Sequence, residues 1–95
     1  MIVKIDGKWQ YKVRVFGVTL YQRSGTIKEK LTVKESVSKQ VGPVWIIAQK
    51  QPIGIQVTAG VGLLSLFNKH LSLNQAVPFA GSGRGYSITG TVVAQ

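Results

Sequence analysis

The stretch Ile2-Val-Lys-Ile-Asp-Gly-Lys-Trp-Gln-Tyr-Lys-Val-Arg-Val15, continued by Phe16-Gly17 and the run to Val33, decides the fold. Apolar and cationic side chains alternate along it, which is the period of a β-strand with one buried face. Asp-Gly and Ser-Gly pairs between such runs favour hairpin turns. The stretch therefore predicts two β-hairpins in series, with turns at Asp6-Gly7 and Ser24-Gly25.

The first predicted hairpin needs a loop longer than its Asp-Gly pair. A two-residue loop would pair Ile5 with Lys8 and mix apolar with charged side chains on both faces. A three-residue loop from Asp6 to Lys8, or a bulge, pairs Ile5 with Trp9 instead. Cross-strand partners share a face, so the opposite face then gathers Ile2, Lys4, Gln10, Lys12 and Arg14.

The alternation changes phase at Gly17, which indicates a bulge or a sharp bend there. A two-residue loop at Ser24-Gly25 then closes the second predicted hairpin and pairs Val18 with Leu31. The opposite face of this hairpin holds Thr19, Tyr21, Lys28, Lys30 and Thr32, with Tyr21 directly opposite Lys28.

The remaining segments are short and bounded by glycine or proline. They predict an exposed edge strand over 34–41, a turn at Gly42-Pro43, buried strands over 44–48 and 53–59, a loop over 74–85 and a last strand from Tyr86. The segment Leu63–Leu71 is ambiguous, since its leucines and Phe67 fit helical spacing. We assign it a short helix or turn.

These elements predict one mainly β domain over residues 1–95. It is a small antiparallel sandwich or barrel of about six to eight short strands. The one helix that the pattern allows is short and lies near 63–71. The chain has no cysteine, so disulfides and thiolate metal sites play no part in it.

The charge is strongly basic and unevenly distributed. Twelve Lys and Arg oppose three Asp and Glu, a net charge of +9. Residues 1–50 carry +7, whereas residues 51–95 hold only Lys69 and Arg84. Soluble monomers usually carry charge over their whole surface, so the charge-poor half predicts coverage by a neighbouring subunit or a lipid surface.

The cations of the predicted hairpins form a candidate nucleic-acid site. Cationic side chains with an interleaved aromatic suit a surface that follows phosphates and stacks bases. A solvated basic face that keeps the protein soluble explains the pattern equally well. The candidate residues are Lys4, Lys8, Lys12, Arg14, Tyr21, Lys28 and Lys30.

Catalytic and metal-binding groups are scarce. His70 is the only histidine, the acids are Asp6, Glu29 and Glu35, and their spacing suggests no nucleophile–base set and no metal site. Gly81–Gly85 could cradle a phosphate with Arg84, but it lacks the flanking strand and helix of a dinucleotide site, and a flexible loop is the simpler interpretation. We expect no enzyme, cofactor or small-molecule substrate.

Residues 51–68 carry no charge, yet proline, glycine and polar residues interrupt them, so we expect a core strand and no membrane span. No signal peptide is visible, and we expect a virion or cytoplasmic location.

The charge distribution and the predicted β-fold together favour two functions. The first is a self-associating structural protein, such as a small viral (phage) virion component, whose basic face contacts nucleic acid. The second is a small-barrel protein that binds single-stranded nucleic acid.

Overall fold

Eight antiparallel strands and no helix make up the computed structural model, which describes residues 1–95. The strands are β1 (Ile2–Val15), β2 (Val18–Thr32), β3 (Ser36–Val41), β4 (Val44–Lys50), β5 (Ile55–Val61), β6 (Leu64–Leu71), β7 (Ala76–Gly83) and β8 (Tyr86–Ala94). They form two four-stranded sheets, which we call the long sheet (β2-β1-β8-β7) and the short sheet (β3-β4-β5-β6). The predicted fold class, a small antiparallel β-sandwich or barrel, is confirmed.

The core lies between the two sheets and consists of alternate residues from every strand except β3, whose half-buried Val37 and Val41 pack against it. Seventeen hydrophobic residues are buried, and no polar or charged residue is. Val3 and Ile5 of β1 represent the inward positions of the long sheet, and Ile46 and Val57 represent those of the short sheet. Because side chains alternate along each strand, the residues between them point outward.

The first two strands form a single long hairpin, so the prediction of two hairpins in series is wrong. Their pairing runs without interruption from Ile2 opposite Thr32 to Val15 opposite Val18, apart from one bulge. The turn is at Phe16-Gly17, whose φ angles are 52° and 78°. Positive φ at both central residues is the type I′ geometry that matches the twist of paired strands.

The two glycines expected to form turns lie inside strands instead. Gly7 pairs with Gly90 of β8, and Gly25 lies opposite Trp9. A Cβ on Gly25 would stand 2.6 Å from Cε2 of Trp9. Gly25 therefore leaves the space that the indole ring of Trp9 occupies. The turn itself is at Gly17, where the alternation of apolar residues changes phase.

The predicted helix over 63–71 is also wrong, because this segment is β6, at an edge of the short sheet. The register places Gly60 opposite Ser65 but Ala59 opposite Phe67, so Leu66 is an extra residue in a bulge. Leu66 and Phe67 both pack against the core. Two adjacent inward side chains break the period of two, and this break explains the helix-like spacing.

Residues 74–85 are not a loop, since β7 occupies Ala76–Gly83 and pairs with β8. Pro78 is accommodated because β7 is the edge strand of the long sheet. The other predicted elements are confirmed as β3, the Gly42-Pro43 turn, β4 and β8, while the strand expected over 53–59 begins at Ile55.

The long hairpin extends beyond the sandwich. β8 pairs with β1 only as far as Tyr11, and no residue between Ile5 and Ile27 is buried. The principal extents are 48 × 22 × 17 Å, and the longest equals the roughly 48 Å of a fourteen-residue strand. We call the projecting two-stranded ribbon, residues 12–22, the arm.

Candidate nucleic-acid interface

Six of the seven candidate residues lie on one surface of the long hairpin. Odd-numbered residues such as Val3, Ile5 and Ile27 are buried against the short sheet, and the register pairs residues of equal parity over most of the hairpin. The even-numbered residues of both strands therefore point outward together. We call this surface the basic face; it holds Lys4, Lys8, Lys12, Arg14, Lys28 and Lys30.

The cations of the basic face are arranged in rows with little compensating charge. Lys4 lies directly opposite Lys30, and Asp6, the one acid of this face, lies opposite Lys28. Like charges directly opposite each other destabilise a sheet. A bound polyanion would relieve that repulsion, so the arrangement favours an anionic ligand.

A shallow depression of about 510 Å³ lies at the centre of the basic face. Hydroxyl and amide side chains surround Lys8 there: Gln10, Ser24, Thr26, Ser87 and Thr89. Such groups, together with Lys and Arg, make the usual contacts to phosphate oxygens. Ser87 and Thr89 belong to β8 and lie beside Lys8 only because β8 pairs with β1, so no local sequence pattern identifies them.

Tyr21 is not part of the basic face. It lies opposite Val13 rather than Lys28, on the surface that continues the core, where its ring meets Tyr11 edge-on at 5.9 Å. Tyr11 in turn contacts Tyr86 at 4.4 Å between ring centres. Leu20 has no partner in β1, and this bulge shifts the pairing by one residue, so that Tyr21 lies opposite Val13. The outward positions of β1 and β2 thus offer cations and hydroxyls but no aromatic ring for base stacking.

The outer surface of the short sheet has the opposite character, since no charged side chain lies on it. Trp45 crosses this surface above Gly60, and its Nε1 donates a 2.8 Å hydrogen bond to the Gly62 carbonyl. We call this surface the neutral face; its outward residues are Ser36, Ser38, Gln40, Trp45, Ile47, Gln49, Gln56, Thr58, Gly60, Ser65, Asn68 and His70.

The polar groups considered for catalysis are dispersed. Asp6 is on the basic face, and Glu29 is half-buried opposite Ile5 on the inward side of β2. His70 is on the neutral face, where its ring Nε2 hydrogen-bonds the Ile53 carbonyl. No group of three or more potential metal ligands comes together.

Packing explains the glycines of the Gly81–Gly85 segment. Arg84 and Gly85 form the turn between β7 and β8, with φ angles of 51° and 84°. A Cβ on Gly81 would stand 2.8 Å from the Leu66 carbonyl carbon, and one on Gly83 would stand 2.6 Å from Cδ2 of Leu64. The glycines therefore let β6 approach β7 closely at this edge.

No protein-family model, curated protein or solved structure matches this chain. None of its elements is a helix long and apolar enough to cross a membrane.

Proposed function

We propose that this chain is a non-enzymatic structural subunit that associates with copies of itself and holds its basic face against nucleic acid. A virion is one assembly in which a subunit meets both requirements. The observation that carries the proposal is the contrast between the two outer surfaces of the sandwich, one with six cations and the other with none.

The neutral face has the composition of a contact between subunits. Charged residues are depleted at the centres of protein interfaces, where aromatic residues are enriched. Trp45 and Ile47 are only half-buried on this face, and glutamine, serine and threonine surround them. A chain of net charge +9 also repels its own copies, and an uncharged surface is where that repulsion is weakest.

The basic face has the dimensions of a nucleic-acid contact. From Lys4 to Arg14 the strand advances ten residues, about 34 Å. This distance is close to one turn of B-form DNA, about 34–36 Å. With the hydroxyl groups around Lys8, the face supports contacts to phosphates along the backbone rather than recognition of bases.

The second candidate function is a nucleic-acid-binding protein that works without self-assembly. The depression around Lys8 favours it, because phosphate contacts there need no second copy. The position of Tyr21 away from the basic face weighs against recognition of single strands by stacking. Molecular mass in solution separates the two candidates.

The first prediction tests self-association through the neutral face. Ser38→Lys with Gln49→Lys adds two charges to exposed positions of that face, and we expect the oligomer to dissociate at least about tenfold more readily, since charge is disfavoured at interface centres. The matched control, Thr32→Lys with Thr91→Lys, adds the same two charges to the outer surface of the long sheet and should keep the oligomer.

Size-exclusion chromatography with light scattering measures the outcome. A wild-type protein that is monomeric at every concentration and shifts only when an oligonucleotide is added would overturn the assembly proposal in favour of the second candidate. Equal dissociation of both double variants would show that total charge, and not the neutral face, controls association.

A further inference from the structure

The inner surface of the arm lacks the second layer that covers the rest of the long sheet. Strands β1 and β2 have fourteen and fifteen residues, whereas the strands of the short sheet have six to eight. Below the arm, the apolar surface of the long sheet is buried by the short sheet. In the arm the same surface, with Val13, Val15, Val18 and Tyr21, continues past the end of the sandwich. An apolar sheet surface is stable when a second layer packs on it.

The tip of the arm carries an aromatic side chain in an unfavourable backbone conformation. Phe16 is 101% exposed, and its φ of 52° lies in the left-handed region. This region costs a non-glycine residue free energy, and asparagine is the usual residue there in hairpin turns. A strained, fully exposed phenylalanine therefore indicates a role outside the folding of a single chain.

A notch lies where the short sheet ends, at the base of the arm, since its Tyr86 pairs with Tyr11 of β1. It has a volume of about 240 Å³. Leu63 at its rim is 107% exposed. Arg84 supplies the one charge, a cation that suits the face of an aromatic ring. The lining residues are Val61, Gly62, Leu63, Leu64, Arg84 and Tyr86.

We infer that two copies of this chain exchange arms, each placing Phe16 in the notch of the other. If the arms stack antiparallel with their inner surfaces together, the tip of each arm reaches the base of its partner's arm, where the notch is. Each arm then supplies the missing layer at the usual spacing of about 10 Å between packed sheets. The contact is the same from both sides, as a two-fold interface requires.

Charge favours a second copy as the occupant. Lys12 and Arg14 are on the outer surface of the arm, so stacking the inner surfaces turns the cations of the two arms away from each other. The stacked inner surfaces contain valines, tyrosines and Phe16. The two cations beside them are Arg23, opposite Tyr11 at the base of the arm, and Arg84 in the notch, which faces the ring of Phe16. Because the basic faces remain outside, the paired copies keep them available to a polyanion. The inference rests on the proposed self-association but uses a surface separate from the neutral face.

The substitution Phe16→Asn distinguishes a binding role from a structural one. Asn-Gly is the preferred pair for a type I′ turn, so the hairpin should form at least as well, with an unchanged circular dichroism spectrum. If arms are exchanged, dissociation of the two-fold pair rises at least about 30-fold, as for loss of a central anchor. Phe16→Tyr keeps the ring and should retain the association.

A cysteine crosslink locates the contact. The chain has no cysteine of its own, so a copy with Val15→Cys can be mixed with a copy that carries Leu63→Cys and then oxidised. We expect a disulfide between the two copies. A copy with Thr32→Cys, at the far end of β2, should form none with the Val15→Cys copy.

Each outcome has one meaning. Oligomers that form no Val15–Leu63 crosslink and are unaffected by Phe16→Asn would overturn arm exchange while leaving the neutral-face proposal intact. A monomeric wild type would overturn both. A monomer that binds vesicles of phosphatidylserine and phosphatidylcholine through Phe16 would show that a lipid surface, not a second copy, receives the arm.

Discussion

Glycines inside the long strands make room for neighbouring groups, and Gly7 is the clearest case. It pairs with Gly90, and the ring of Phe79 lies against both of them. A Cβ on Gly7 would stand 2.9 Å from Cα of Gly90 and 3.1 Å from Cζ of Phe79. The two glycines thus allow β1 and β8 to pair beneath a large core side chain.

Gly7→Ala is therefore expected to destabilise the protein by about 3 kcal/mol or more, the upper end of the usual cost of overpacking. The new methyl group meets backbone atoms of β8, which do not move aside as the end of a side chain would. The free energy of unfolding in urea measures the effect.

Gly62→Ala is the matched control for this prediction. A Cβ at Gly62 meets nothing within 4 Å, but its φ is +58°, so only the backbone penalty of about 1–2 kcal/mol applies. Equal losses in the two variants would show that steric overlap at Gly7 is unimportant.

The same glycines explain the limits of prediction at the residue scale. Alternation alone correctly indicated that Lys4, Lys12 and Arg14 share a face, because that inference uses only the period of a strand. The roles of Gly7 and Gly25 depend on Phe79 and Trp9, which reach them from other strands. A dipeptide such as Asp-Gly carries no information about such neighbours.

Among the elements, the long hairpin has a phase change that the sequence shows correctly, although the turns predicted beside it are in the wrong places. The phase change at Gly17 is real, since it coincides with the turn. A phenylalanine at the first turn position does not resemble the usual Asn-Gly pair, so local sequence does not predict this turn. The spacing in β6 is misleading for a similar reason, because its bulge at Leu66 imitates helical spacing.

The arm is expected to be the least protected part of the hairpin in the isolated chain. A two-stranded ribbon is marginally stable by itself, whereas Val3 and Ile5 are buried in the core. We expect backbone amides of residues 12–22 to exchange with deuterium at least about a hundredfold faster than those near Val3, because they open without global unfolding. Hydrogen exchange followed by mass spectrometry at low protein concentration measures this difference.

Raising the protein concentration should slow exchange in the arm, and Phe16→Asn should abolish that slowing. Uniform protection along β1 at every concentration would contradict the prediction that the arm opens independently of the sandwich.

At the scale of the whole molecule, charge is divided by surface and not by position in the sequence. The charge-poor second half supplies β7 and β8 to the long sheet, beside the most basic strands, and only β5 and β6 to the short sheet. Composition therefore indicated that a neutral region exists. Its location required the strand order, which depends on contacts between residues far apart in the chain.

The basic face should give nucleic-acid binding a characteristic dependence on salt. If all six cations neutralise one phosphate each, the slope of log K against log salt concentration is about −5.4 for duplex DNA and about −4.2 for a single strand. Lys4→Ala with Lys30→Ala removes two of these contacts. We expect the duplex slope to become shallower by about 1.8, with a similar loss of affinity for every sequence.

Lys34→Ala with Lys50→Ala provides the matched control, because it removes two exposed lysines that lie outside the basic face. Both double variants have the same net charge, so they experience the same long-range attraction to DNA. A slope that changes only in the first variant means that phosphates are bound at Lys4 and Lys30 themselves. Equal changes in both would mean that the polyanion responds to the charge of the whole molecule, and the basic face would then have no special role in binding.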